Sequence, residues 1–124
     1  MTDKSTLIAL ADKLEKATAP SRELDALIAC ACNIRPDWLR GDTRKLVATG
    51  RGHVSAGKHG PGFDAPAYTA SIDAAVSLKP DGGMVECELT DDWHWWSING
   101  HEAAGKPEAS MARLCAAALR ARAA

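Results

Sequence analysis

Polar and apolar positions alternate in one stretch of the chain and recur at helical spacing in four others. The alternating stretch is Met84 to Asn99, MVECELTDDWHWWSIN. Val85, Cys87 and Leu89 fall on one face of a first run, with Glu86 and Glu88 on the other. In a second run Trp96 and Ile98 share a face, opposite Trp93, Trp95 and Ser97. A two-residue turn at Asp91–Asp92 pairs Cys87 with Trp96 and Val85 with Ile98 on an apolar, β-prone face. The same register sets Glu88 against Trp95 and Glu86 against Ser97. The hairpin over 84–99 is expected to be the core sheet, and because two strands alone are marginal in water, other elements must cover it.

Four helices are expected around it. Leu7, Leu10, Ala11 and Leu14 share a helical face, with Ser5 or Thr6 as cap, until Pro20 interrupts. Ser21 caps a second helix with a stripe of Leu24, Leu27, Ile28, Ala31 and Cys32, stopped by Asn33 in a left-handed conformation. These two form a helical hairpin over 5–33. A third helix, 69–79, has Thr69 as cap and Ile72, Ala75 and Val76 inside. The fourth, 107–122, starts at Pro107 and carries Met111, Leu114, Cys115, Ala118 and Leu119, with Arg113, Arg120 and Arg122 largely off that stripe.

Between the second and third helices the pattern fails. Leu46–Val47–Ala48 suits a short strand, but five of the ten glycines lie at 50, 52, 57, 60 and 62, which predicts a long loop within the basic segment 40–67. Arg35, Arg40, Arg44, Lys45, Arg51 and Lys58 face only Asp37 and Asp42 in this part of the chain. Residues 81–92 hold five acids and no base. The net charge is −1, so the polarity is local, and a globally basic nucleic-acid binder is excluded. At 124 residues the chain is one domain, 1–124, of class α/β (α+β), with a small, mainly antiparallel sheet sandwiched between helical layers. No run reaches the length of a membrane span and no secretory signal opens it, so a cytoplasmic protein with four reduced cysteines is expected.

Arg22-Glu-Leu-Asp-Ala-Leu-Ile28, Pro66-Ala-Tyr-Thr-Ala-Ser-Ile-Asp-Ala-Ala75, the tryptophan-rich strand and Ser110-Met-Ala-Arg-Leu-Cys-Ala-Ala-Ala-Leu-Arg120 together resemble small phage and prophage proteins with a phage ABA-sandwich domain. The resemblance spans nearly the whole chain outside 40–65. It implies a sheet between helical layers, a phage origin and a bacterial host cell, and it carries no activity.

Gly52-His-Val-Ser-Ala-Gly-Lys58 satisfies G-x-x-x-x-G-K, the front of a phosphate-binding loop. His59 stands where that motif needs Ser or Thr, and Gly60–Pro61–Gly62 forbids the helix that must follow. A looser role survives, in which glycine amides with Arg51, Lys58, His53 and His59 hold an anion without hydrolysing it; the alternative is a solvated loop. Cys30 and Cys32 point to different sides of a helix, Cys87 and Cys115 fall on core stripes, and the four histidines lack ligand spacing, so no metal or other cofactor is expected. Glu86, Glu88, Asp91 and Asp92 are better read as outward strand and turn residues than as an acid–base pair. No nucleophile–base constellation is assembled. The expected function is therefore a non-catalytic phage accessory protein that binds a small anionic, nucleotide-type ligand, one form being sequestration of a host defence signal. Arg44, Arg51, His53, Lys58 and His59 would supply charge, and Phe63, Tyr68 or Trp93 would stack. The second class is an interaction module, paired with itself or a host protein through exposed aromatics.

Overall fold

The computed structural model describes residues 3–124. Its centre is the last helix, Ser110–Ala123 (α4), in which ten of fourteen residues are buried. Alanines fill that helix, so neighbours approach it on several sides, and burial extends well beyond one stripe. The hairpin, expected as the organising element, is thus one of the layers laid on α4.

Helix Lys4–Lys16 (α1) packs mainly on α4 through Leu7, Leu10, Ala11 and Leu14. Its cap is Asp3, which accepts from the Ser5 amide, and neither Ser5 nor Thr6 serves. The arginines expected off the α4 stripe tie the layers to it. Arg113 Nη1 donates to the carbonyls of Leu14 and Ala17 at 2.7 and 2.8 Å, adding a donor at the end of α1, where carbonyls lack a full set of helical partners. Arg113 Nε donates to Ala104 O, Arg120 pairs with Asp12 and Glu15, and Arg122 donates to Leu78 O.

Helix Arg22–Ala31 (α2) starts on Ser21 as expected. It ends on Asn33 at φ 53°, with Ile34 N–H bonded to Ala29 O and Asn33 N–H to Cys30 O, the paired closure of a left-handed stop. Its buried face is Asp25, Ala26, Ile28 and Ala29; of the expected stripe Ile28 and Cys32 are buried, Leu24 and Ala31 pack against the core, and Leu27 is turned out, 36% exposed. The helix is turned this way because the Asp25 carboxylate, 1% exposed, accepts from Thr69 N and Oγ1 at 2.8 Å each and from Arg22 Nη1. Thr69 is therefore an anchor for α2. Ser71 caps the third helix, Ile72–Val76 (α3), which is shorter than expected and leaves Ile72 52% exposed.

The segment read as a loop is a sheet. Leu46–Gly50 (β1), His53–Ala56 (β2) and Gly62–Asp64 (β3) pair antiparallel in that order, and β1 and β2 pack on α2. Its glycines occupy turns and close approaches. A Cβ at Gly52 would stand 2.5 Å from the Arg22 guanidinium, and one at Gly60 would strike the Ala56 carbonyl.

The second sheet joins Val85–Leu89 (β4), His94–Ile98 (β5) and His101–Gly105 (β6). All four cross-strand pairs expected of the hairpin are present, and Leu89 pairs with His94. A third strand follows through Asn99 and Gly100, whose consecutive φ values of 52° and 83° suit a two-residue hairpin turn. Trp96 and Ile98 are buried with Leu114 in one core. Cys87 and Leu89 share their face yet are exposed, because α4 covers β5 and β6 and leaves β4 overhanging. The architecture is a small α+β fold with two antiparallel sheets where one was expected. Among the described residues no helix is long and apolar enough to cross a membrane.

Candidate functional site

The end of α2 and the turn beyond it build an open concavity that carries charge. Pro36 opens a 3-10 turn, Asp37–Leu39, whose Leu39 is buried and whose Trp38 is 64% exposed. An open depression of about 610 Å³ lies beside it, lined by Asn33, Ile34, Arg35, Arg40, Asp42 and Thr43. Arg35 is held from two sides: Nε donates to Asn33 Oδ1 at 3.2 Å and Nη2 to Arg44 O at 2.6 Å. Its Nη1 is buried and has no hydrogen-bond partner among the described residues. Arg40 pairs with exposed Asp37 at 3.0 Å.

Asp42 accepts from Arg44 Nη2 at 2.6 Å and from Arg44 N at 2.9 Å. The Arg44 guanidinium and then its backbone amide, with a further contribution from the charge of Arg35, hold the Asp42 carboxyl down to about 2. Asp42 therefore neutralises Arg44, and Arg35 is the guanidinium in this group with no carboxylate of its own.

The other expected site residues are spread over the molecule. Arg51 and His53 stand at one end of β2, Lys58 and His59 beyond the other. The two glycines of the G-x-x-x-x-G-K string, Gly52 and Gly57, flank an extended strand and so lie roughly 16 Å apart at about 3.3 Å per residue, too far to cradle one phosphate. His53 Nδ1 lies 3.5 Å from Asp64 Oδ1, long for a hydrogen bond. Phe63 is half-buried against the core. Tyr68, expected to stack on a ligand, is 1% exposed, and burial pushes its hydroxyl pKa up, so it belongs to the core. Trp93, 52% exposed, is at the tip of the second sheet, and Trp95 is half-buried. None of the eight candidates lines the depression; Arg44 reaches it only through its bonds to the lining residues Arg35 and Asp42.

Arg35 and Arg40 were legible as part of the local positive surplus but not as a pair. Trp38, the fourth tryptophan, fits no period, and its exposure is set by the 3-10 turn.

A serine–histidine pair also forms. Ser110 Oγ lies 2.7 Å from His94 Nδ1 and accepts from Trp96 Nε1 at 2.9 Å. The hydroxyl is 95% hidden with its residue and is committed to two partners, which ties β5 to the start of α4 and gives a substrate no approach. All four cysteines are free thiols. Burial raises the pKa of Cys30, Cys32 and Cys115, which disfavours thiolate chemistry at each. Cys87, expected in the core, is exposed on β4. Among the described residues no group of three His, Cys, Asp or Glu converges on a metal-sized site.

No family model matches the chain, and no curated protein or solved structure is similar to it, so neither the phage resemblance nor an activity passes to it from a relative.

Proposed function

We propose that the protein is a non-catalytic binding module for a small phosphate-bearing ligand of nucleotide type, taken up at the Asn33–Thr43 depression. The observation that carries this reading is the state of Arg35. Its guanidinium is pre-positioned by Asn33 and Arg44, lines the depression, and keeps one buried nitrogen without a partner. A buried unpaired donor costs about 1–3 kcal/mol, so an acceptor that recruits it gains more than one that meets a solvated arginine. Arg40 and Thr43 supply further donors, and the exposed indole of Trp38 offers a face for a base. Sequestration of a host signalling nucleotide by a phage protein is one role such a module would fill.

A ligand that binds only the folded state raises stability by RT ln(1 + [L]/Kd), about 2.7 kcal/mol at a hundredfold excess over Kd. Mono-, di- and cyclic nucleotides should therefore raise the melting temperature of the parent. Arg35→Ala with Arg40→Ala should remove the rise, and Arg51→Ala with Lys58→Ala should keep it. A flat response of the parent to every nucleotide would overturn the reading, as would loss of the rise in the Arg51 and Lys58 variant alone.

A further inference from the structure

β4 is an edge strand, and neither of its faces is covered: four of its five residues are exposed and Val85 is half-buried. The direction of its backbone follows from its register. Thr90 N–H bonds to Trp93 O at 2.9 Å and Asn99 N–H to Met84 O at 3.1 Å, so even-numbered residues direct their amides and carbonyls toward β5. Val85, Cys87 and Leu89 therefore direct theirs to the open edge, a row of unpaired donors and acceptors.

The side chains on this edge are polarised. Val85, Cys87 and Leu89 make an apolar face, while Glu86 and Glu88 lie on the other beside Trp95. Five carboxylates elsewhere are paired with arginine: Asp12 and Glu15 with Arg120, Asp25 with Arg22, Asp37 with Arg40, Asp42 with Arg44. Glu86, Glu88, Asp91 and Asp92 form no ion pair among the described residues.

That charge selects the occupant. A second copy pairing antiparallel along most of the strand, on the outward-bonding residues, sets 87 against 87, 85 or 89. The first register opposes Glu86 to Glu88 twice, and the others oppose Glu86 or Glu88 to itself. Like charges directly opposite destabilise a ladder, so self-pairing is disfavoured in each of these registers. An extended segment with Lys or Arg at alternate positions meets no such repulsion. Its cations fall opposite Glu86 and Glu88 and beside the Trp95 ring, and its apolar side chains continue the Cys87 and Leu89 face. We propose that β4 is a docking edge for a basic, extended segment of a partner protein, added as a fourth strand. This surface is separate from the Arg35 depression, and either can fail without the other.

The probes are two labelled peptides, one alternating lysine and valine and one alternating glutamate and valine. The parent should bind the lysine peptide about tenfold more tightly, since two cross-strand charge pairs attract with lysine and repel with glutamate. On binding, the amides of Val85, Cys87 and Leu89 should become protected from hydrogen exchange, while those of Glu86 and Glu88 are protected already. Glu86→Lys with Glu88→Lys should reverse the preference. Cys87→Pro removes an outward N–H, which an edge strand tolerates, so it should keep the melting temperature and lose the peptide. If that variant does not fold, the exchange pattern and the charge reversal still decide. Three results would overturn the proposal: no binding of the lysine peptide by the parent, binding without protection at 85, 87 and 89, or a parent dimer that cross-links through Cys87.

Discussion

The two sheets contain the same number of strands, yet they are held by different means. In the first, β1 to β3, turns and close approaches belong to glycine, and arginine or histidine side chains lie against them: Arg22 over Gly52, Arg44 beside Gly57, His53 over Gly62. Its cohesion comes from the backbone ladder, from Val54 and Ala56 against α2, and from the Arg22–Asp25–Thr69 knot beneath it. In the second, β4 to β6, large side chains lie across α4, with Trp96 and Ile98 in the same core as Leu114. A sheet fixed by absent side chains fails when an atom is added. A sheet fixed by filled volume fails when atoms are removed.

The largest expected effect tests the second half of that contrast. Leu114 is fully buried, and Leu114→Ala deletes methyl groups from a helix with neighbours on several sides, which should cost about 2–5 kcal/mol. Urea melts that superimpose on those of the parent would refute this packing. A smaller effect tests the first half. Gly60→Ala forces a methyl group into the Ala56 carbonyl and should cost about 1–3 kcal/mol, with faster exchange first among the amides of 53–64. A variant as stable as the parent would mean that this turn is looser than described.

The same contrast explains what was legible. Side chains that fill volume leave a period in the sequence, and the register of β4 with β5 followed from Cys87, Trp96, Val85 and Ile98. Helices α1, α2 and α4 were likewise readable. In the first sheet the strands HVSA and GFD are too short to establish a period, and glycine counts as a breaker although here it permits close approach. β6, His-Glu-Ala-Ala-Gly, lacks β-prone residues, but Asn99–Gly100 just before it was a hairpin signal that passed as the end of the element. The charged site was legible as composition only. Asp25 lies 44 residues from Thr69, and no local pattern announces that pair. Nor does one announce that Asp42 cancels Arg44 and leaves Arg35 free of a carboxylate.

A third expectation concerns the overhang of β4. Thiol reagent should modify Cys87 rapidly in the folded protein, because that strand is uncovered, while buried Cys32 and Cys115 react only on unfolding. All four should react in denaturant without reductant. Slow reaction at Cys87 would show that something covers β4 in solution, and two missing thiols would reveal a disulfide.

The smallest effect lies at the junction between α2 and the first sheet. Asp42 titrates near 2 because the Arg44 guanidinium binds its ionised form, the Arg44 amide adds a second bond, and Arg35 contributes charge. A depressed folded value means that the ionised form favours folding. The contribution is complete above the ordinary carboxylate value of about 3.9 and disappears as the pH falls toward 2. Its size is small, since Asp42 is only half-buried, its partner Arg44 is exposed, and salt screens the pair. The sensitive readout is therefore the carboxyl resonance of Asp42 and not a melting curve. Its midpoint should lie near 2 in the parent and move up toward the ordinary value in Arg44→Ala, whereas Lys58→Ala, beyond the far end of β2, should leave it in place. If Arg44→Ala leaves the midpoint near 2, Arg44 is not what occupies Asp42, and the claim that Arg35 is the guanidinium left for a ligand loses its basis.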